Sequence, residues 1–371
     1  LHRLRDIPIL IKIYSFSCCV VEVYLSDVMK QLEGCRLSSH DVIGYSLAGD
    51  ITLGGLFSLH MESPQPFQCV NVIHRSRYYR FLLAMVYAIM EINASDDLLP
   101  NVTLGFILYD SCYNEVRSLT GTAWILSGTK NGVPSFSCKE GNMPLAIIGD
   151  MPSKASIPIA RILGLYRYPQ VSYASATPLL SDKTQFPSFL RTIHNSYYEG
   201  FIIADLLKYF NWTWVGIIVS DNDLGRTGLQ IVTREYEKNG GCIAFQEILP
   251  IFSSMKSVLR IVDVVKKSKA TVIVLFCTTE NLVSLMEQAS FHNITDKVWV
   301  ATPGWSITSD FPRRDILTTL NGSLGLANQN GKIPGFKEFL YSIHPSRFPD
   351  DPYMKSFWEN AFHCIWPGDD A

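Results

Sequence analysis

Leu145-Ala146-Ile147-Ile148-Gly149 is a short apolar run of strand length, and Asp150-Met151-Pro152-Ser153-Lys154-Ala155-Ser156 breaks it. A helical pattern follows, with Pro158 near its first turn and Ile159, Ile162, Leu163 and Tyr166 on one face. Pro169-Gln170-Val171-Ser172-Tyr173-Ala174-Ser175-Ala176 then opens a second strand that ends in small polar residues. Strand, helix, strand at this spacing is a βαβ unit, so the strands are parallel. Open parallel sheets bind ligands beyond the carboxyl ends of their strands. Here those ends carry Ser153 and the Ser175 segment beside a helix N-terminus, a corner suited to a small anion. Ser153 or Ser156 serves equally well as an ordinary helix N-cap.

The same corner excludes other ligands. It has no Gly-x-Gly-x-x-Gly and no Gly-Lys-Ser/Thr, which argues against a dinucleotide or nucleoside triphosphate. Asp150 would repel a polyphosphate.

Outward from this unit the alternation continues. Helical periodicity covers Tyr79 to Ile92, and strands are expected at Leu104 to Tyr109 and Leu145 to Ile148. Asn195 to Glu199 reads as a crossing point into a second α/β repeat. There, helices are expected over 202–210, 228–239, 258–267 and 281–291, and strands over 214–219, 243–248, 271–276 and 298–301. Residues 322–327 would cross back, and Leu340 and Phe357 to Phe362 suggest helices that rejoin the first repeat.

A chain of 371 residues allows two domains, each with its own core. Net charge is −2 with scattered basic residues, so nucleic acid is not an expected partner. The nine cysteines form no Cys-x-x-Cys pair and no zinc spacing, so no metal is expected. Asn-x-Ser/Thr sequons begin at Asn93, Asn101, Asn211, Asn293 and Asn321, which favours a secretory route. Asn101 and Asn293 sit in turn-like contexts, whereas Asn93 and Asn211 lie close to apolar runs. An oxidising compartment turns the cysteines into a disulfide question. Cys277, in an apolar strand, reads as a buried thiol.

Residues 1–43 are separate from this pattern. Ile7 to Leu25 is apolar but interrupted by Lys12 and Glu22, and His2, Arg3 and Arg5 precede it. That is either the remnant of a signal peptide or sequence foreign to the fold. A first residue of Leu suggests an incomplete record.

Several stretches in order carry a resemblance. They are Gly54-Gly55-Leu56-Phe57-Ser58, Ala88-Ile89-Met90-Glu91-Ile92-Asn93, and Leu98-Leu99-Pro100-Asn101-Val102-Thr103-Leu104-Gly105. Pro169 to Ser175, Leu179 to Thr192, Trp212-Thr213-Trp214-Val215-Gly216, Ile333-Pro334-Gly335-Phe336, His344-Pro345-Ser346-Arg347 and Phe357-Trp358-Glu359 follow. Between about Gly49 and Trp366 the chain resembles the ligand-binding region of class C G-protein-coupled receptors. It is most like the vomeronasal type-2 receptors, with the calcium-sensing receptor as a relative.

That resemblance implies a two-lobed clamshell like the periplasmic binding proteins, called a Venus flytrap, with parallel sheets flanked by helices. Lobe 1 would be 44–195 plus 328–371, incomplete at the C-terminus, and lobe 2 would be 196–327. A small molecule or peptide held between the lobes would favour closure and drive a homo- or heterodimer with another class C receptor. A G protein would be reached only through a membrane domain that this chain lacks. The expected place is the extracellular side of the plasma membrane, and the fragment alone would be secreted. No cofactor and no catalysis are implied.

Residue by residue, the resemblance implies a bond between Cys69 and Cys112 and an intermolecular disulfide through Cys138. Cys242 and Cys364 match cysteines whose partners lie further along the family's chain. Ser153 matches a hydroxyl that meets the carboxylate of amino-acid ligands. Ala174, Ser175 and Ala176 match a second loop on that side. The amine side departs from the family: Ser196 and Pro303 stand where relatives carry acids, and Leu224 where they carry a tyrosine. Thr278 is a further polar candidate.

Two weaker patterns remain. Asp221-x-Asp223-x-Gly225 faintly resembles a calcium loop but reads better as a turn. Gly44-Tyr45-Ser46-Leu47-Ala48 misses a nucleophile elbow by its last residue, making an α/β hydrolase a remote rival. The nearer rival is a secreted, non-signalling binding or structural glycoprotein.

Overall fold

The computed structural model describes residues 44–61, 69, 76–127, 143–250, 253–277, 279–306, 314–328 and 331–365. These fall into two compact units. The first holds the described residues up to Ala174, Pro187–Leu190 and those from Pro334 onward; the second holds Ser175–Phe186 and Arg191–Ile333.

The first unit is built on a six-stranded sheet. Its strands are β1 (Gly44–Leu47), β2 (Ile51–Phe57), β3 (Leu104–Asp110), β4 (Ile147–Ile148), β5 (Gln170–Ser172) and β6 (Phe189–Arg191), in the order β1-β3-β2-β4-β5-β6. β2 runs parallel to β3, with Ile51 opposite Leu104 and Phe57 opposite Asp110, and parallel to β4 on its other side. Nearly every residue of β3 is buried, as a strand covered on both faces requires. One face packs on α1 (Ser76–Asn93), where Tyr79, Leu82, Leu83, Val86 and Ile89 meet Phe57, Phe106 and Leu108. The short helices α10 (Phe336–Ser342) and α11 (Met354–Phe362) close that layer with Phe339 and Met354. The opposite face packs on α2 (Glu115–Ser127) and α3 (Ser153–Leu165) through Ile125, Ile159 and Leu163.

β1 is antiparallel to β3, with Gly44 opposite Tyr109, and the short 48–50 link passes the start of β3 to reach β2. Gly49 and Gly105 meet there backbone to backbone, so a Cβ on either would collide with the other strand's main chain. Thr103 fastens the crossing: its N–H and hydroxyl both donate to the Asp50 carboxylate, at 2.8 and 2.7 Å.

The second unit is a five-stranded, wholly parallel sheet in the order β11-β10-β9-β7-β8. Its strands are β7 (Trp214–Ser220), β8 (Cys242–Leu249), β9 (Val272–Phe276), β10 (Val298–Ala301) and β11 (Leu324–Gly325). The period of two sorts their side chains. Val215, Ile217, Val219, Val272, Val274 and Phe276 face α4 (Tyr197–Tyr209) and α5 (Asp223–Lys238), while Ile218, Ile273 and Leu275 face the other way. That second layer is α6 (Met255–Lys267), α7 (Thr279–Phe291) and α9 (Arg314–Thr319), beyond the four-residue α8 (Pro303–Ser306). Parallel neighbours need crossover connections, and these helices supply them.

Three expectations are corrected. Pro158 is the sixth residue of α3, not near its start, and gives up the hydrogen bond to the carbonyl four residues back. The helix expected from Ile202 begins at Tyr197, so Tyr197 to Glu199 are its first turn. The helix expected from Gly228 begins at Asp223. Gly44–Leu47 is an edge strand with Ser46 exposed, which has no strand-to-helix elbow. Among the described residues, no helix is long and apolar enough to cross a membrane.

Candidate ligand-binding site

Most strands of the parallel core deliver a polar residue at the carboxyl end, where the backbone leaves the sheet. In the first unit these are Ser58 after β2, Asp110 and Ser111 at β3, Asp150 after β4, and Ser172 at the end of β5. Asp150 is fully buried at their centre. The Ser58 hydroxyl donates to its Oδ1 at 3.0 Å, the Met151 N–H at 2.6 Å and the Tyr173 hydroxyl at 3.5 Å, while the Ser118 hydroxyl donates to Oδ2 at 3.3 Å. Ser58 and Ser111 share a hydroxyl hydrogen bond of 2.8 Å. Burial pushes the Asp150 carboxyl up to about 6, against the pull of hydrogen bonds from Ser111, Met151 and Ser58. Next to it Asp110 accepts from the backbone N–H groups of Leu59 and Cys112, at 2.9 and 2.8 Å, and pairs with the His60 ring.

The disulfide Cys69–Cys112 lies one residue past Ser111, with Cα atoms 5.6 Å apart. Among the described residues, the one group of His, Cys, Asp and Glu close enough to share a metal is Cys69, Asp110 and Cys112, and its two sulfurs are bonded to each other.

Ser153 is the first residue of α3 and half-buried. It is not the N-cap. Pro152 holds that position without a side-chain hydrogen bond, and the Ser156 hydroxyl donates instead to the Asp150 carbonyl, 2.8 Å away. The Ser172 hydroxyl donates to the same carbonyl at 2.7 Å, so the ends of β4 and β5 are tied together next to Ser153. Ala174 follows on the β5 side, half-buried.

The second unit brings other candidate residues together. Ser175 is buried, and Arg191 Nη1 donates to its carbonyl at 3.2 Å and to that of Thr177 at 2.8 Å. The Ser196 N–H donates to the Ala176 carbonyl at 2.8 Å, which brings these two positions together. Ser196 is the N-cap of α4 with helical backbone angles, and its buried hydroxyl has no hydrogen-bond partner among the described residues. One turn on, burial pushes Glu199 up to about 7, and His194 Nε2 stands 3.7 Å from its Oε1.

Leu224 is half-buried against the core under α5 and offers no polar group. Asn222 caps that helix by accepting from the Gly225 N–H at 2.8 Å, and Asp221 pairs with Arg226, whose Nε donates at 3.0 Å. The calcium-like spacing is therefore a helix start. Pro303 is the first residue of α8, held by a hydrogen bond of 2.9 Å from the Thr279 hydroxyl to the Gly304 carbonyl. Thr302 before it is buried, with a hydroxyl that has no partner among the described residues. Burial pushes the Cys277 thiol at the end of β9 up to about 12. Thr278 and Cys138 lie outside the described residues. All five sequon asparagines are exposed.

The buried cluster around Asp150 was absent from the expectations. Its signal was a short polar residue directly after each apolar run, at Ser58, Ser111 and Asp150. Only the sheet order shows that these ends are neighbours. These hydroxyls and carboxyls are buried and bonded to one another, so they brace the strand ends.

The sequence pattern of the family described as "Receptor family ligand binding region" matches residues 80–362. The "Extracellular calcium-sensing receptor" of Sus scrofa is 38% identical over 332 residues, covering 85% of this chain and 30% of that protein. The "Vomeronasal type-2 receptor 26" of Mus musculus is 31% identical over 367 residues, covering 94% of this chain and 42% of the receptor. The "G-protein coupled receptor family C group 6 member A" of Carassius auratus is 32% identical, with 86% of this chain and 39% of that protein covered. The chain thus spans between 30% and 42% of these relatives' lengths.

Proposed function

This chain belongs to the family of receptor ligand-binding regions, and from that premise we propose that it is the extracellular ligand-sensing part of a chemosensory class C receptor. The observation that carries the reading is the match of residues 80–362 to that family, together with an α/β core of parallel strands in each unit. A small molecule or peptide that binds one of two conformations more tightly shifts the population toward it, and that shift is the proposed signal. The proposed output is a dimer, with Cys138 as the sulfur joining two copies. A G protein would be engaged through membrane-spanning sequence of the whole receptor. The proposed place is the outer face of the plasma membrane. A family of ligand-binding regions argues against catalysis.

The ligand is proposed to be something other than a free α-amino acid held in the family's manner. Ser153, Ala174 and Ser175 keep the anion side, but Ser196, Leu224 and Pro303 remove the acids and the ring from the amine side. Losing a buried charge partner costs about 2–5 kcal/mol, a loss of about thirtyfold to several thousandfold in amino-acid affinity. Calorimetric titration with the twenty amino acids tests this. The chain should bind none of them tightly, and Ser196→Asp with Leu224→Tyr and Pro303→Glu should raise the affinity. Micromolar binding by the unaltered chain would refute it.

A further inference from the structure

The turn between α4 and β7 carries an exposed aromatic surface with a sequon inside it. Tyr209 is 82% exposed, Phe210 44% and Trp214 50%. The Tyr209 and Phe210 rings meet edge to face at 5.1 Å, and Phe210 stacks on Trp212 at 4.7 Å with planes 20° apart. The Trp212 backbone is fixed at both ends: its N–H donates to the Leu207 carbonyl at 2.9 Å, and its carbonyl accepts from the Tyr236 hydroxyl at 2.8 Å. Rings held in one place over open solvent ordinarily mark a contact surface. Asn211 stands among them in the left-handed region, at φ 53°, exposed and followed by exposed Thr213 two residues on.

We propose that Asn211 carries an N-linked glycan whose first sugars lie on the faces of Tyr209, Phe210 and Trp214. The inference rests on the extracellular reading, because the modification requires the secretory route. In the transfer, a bond forms between Asn211 Nδ2 and the anomeric carbon of a lipid-pyrophosphate-linked oligosaccharide. The bond from that carbon to the pyrophosphate oxygen breaks, and the amide proton leaves with the pyrophosphate. The apolar C–H face of a pyranose then covers ring area that water covers otherwise, while its hydroxyls stay wet. The sequon fixes the occupant, since it puts a sugar within three residues of each ring.

Asn93 provides the contrast. Its Nδ2 donates to the Leu104 carbonyl at 2.9 Å and its Oδ1 accepts the Leu104 N–H at 2.8 Å, so a sugar there breaks a clamp between α1 and β3. Among the described residues, the Asn211 side chain has no such engagement to lose.

The test uses the full chain secreted from mammalian cells, with glycopeptide mass spectrometry for occupancy. An endoglycosidase that cuts within the sugar core, applied to the folded protein, reads packing. Asn211 should be occupied, and release there should be about tenfold slower than at Asn101, a factor set by stacking contacts of ordinary strength. Denaturation, or Tyr209→Ser with the sequon intact, should abolish the difference. Thr213→Ala should leave Asn211 bare and raise hydrophobic-dye binding or self-association. An unmodified Asn211 beside occupied Asn101 and Asn293 would overturn the inference and leave the extracellular reading standing. So would equal release rates, or a wild-type chain whose copies associate through these rings. An absence of glycan at every sequon would overturn both.

Discussion

Replacing Asp150 with Asn should remove that residue's share of the pH dependence of stability. Asp150 is fully buried, and its carboxyl is pushed from an ordinary 3.8 to about 6, chiefly by burial. A carboxyl whose folded value is raised contributes its full stability below the unfolded value and loses it as pH rises through the folded one. The window is therefore pH 4 to 6, and the penalty is constant above it. At 1.36 kcal/mol per unit, a shift of about two units gives about 3 kcal/mol. Asn keeps the shape. Its oxygen accepts from the Ser58 hydroxyl and Met151 N–H, and its amide N–H groups face the Ser111 and Ser118 oxygens, but it does not titrate. Urea unfolding of wild type and Asp150→Asn at pH 4, 5, 6 and 7.5 supplies the difference at each pH. Asp150→Asn should gain about 3 kcal/mol on wild type across that range. The comparison also removes Glu199, whose raised value acts in the same direction in both proteins. A difference constant with pH would show that Asp150 is not the buried acid its hydrogen bonds imply.

Replacing both Cys69 and Cys112 with Ala opens a loop of 43 residues, worth about 4 kcal/mol in chain entropy; a loss below about 1 kcal/mol in denaturant unfolding would contradict this. Gly228→Ala puts a methyl 2.6 Å from Cγ of the buried Phe276 ring, and overpacking of about 1–3 kcal/mol outweighs the roughly 1 kcal/mol that Ala gains in a helix. Thermal melting should fall by several degrees, and a rise would mean that the Phe276 ring has room to turn.

The strands of the second unit were legible because β7, β9 and β10 are short apolar runs rich in β-branched residues and ended by polar ones. β4 was read as longer than it is, because Leu145 is apolar yet 63% exposed and only Ile147–Ile148 pair. α2 was missed for the opposite reason. Its inward face holds Ser118, Gly121, Thr122 and Ser127 beside Ile125, so a helix packed by hydroxyls shows no apolar stripe. The candidate site divided the same way. Ser153 follows its strand within a few residues and could be read locally. The company of Asp150 comes from Ser58, 92 residues away, and Ser118, 32 residues away, and only the strand order makes them neighbours.

The placing of β3 between β1 and β2 also bears on the order in which the first unit can assemble. β1 and β2 are adjacent in the chain, yet each pairs with β3 and not with the other. The partners are distant in sequence, Tyr45 with Leu108 and Leu53 with Phe106, so no hairpin can form early and hold the place. Such non-local pairing is slow, because a long loop must close before any contact rewards it. During synthesis both N-terminal strands leave the ribosome with no partner and stay unpaired until Asp110 has followed. The two touching glycines then settle which strand goes in the middle, since only a bare backbone lets the 48–50 link pass the start of β3.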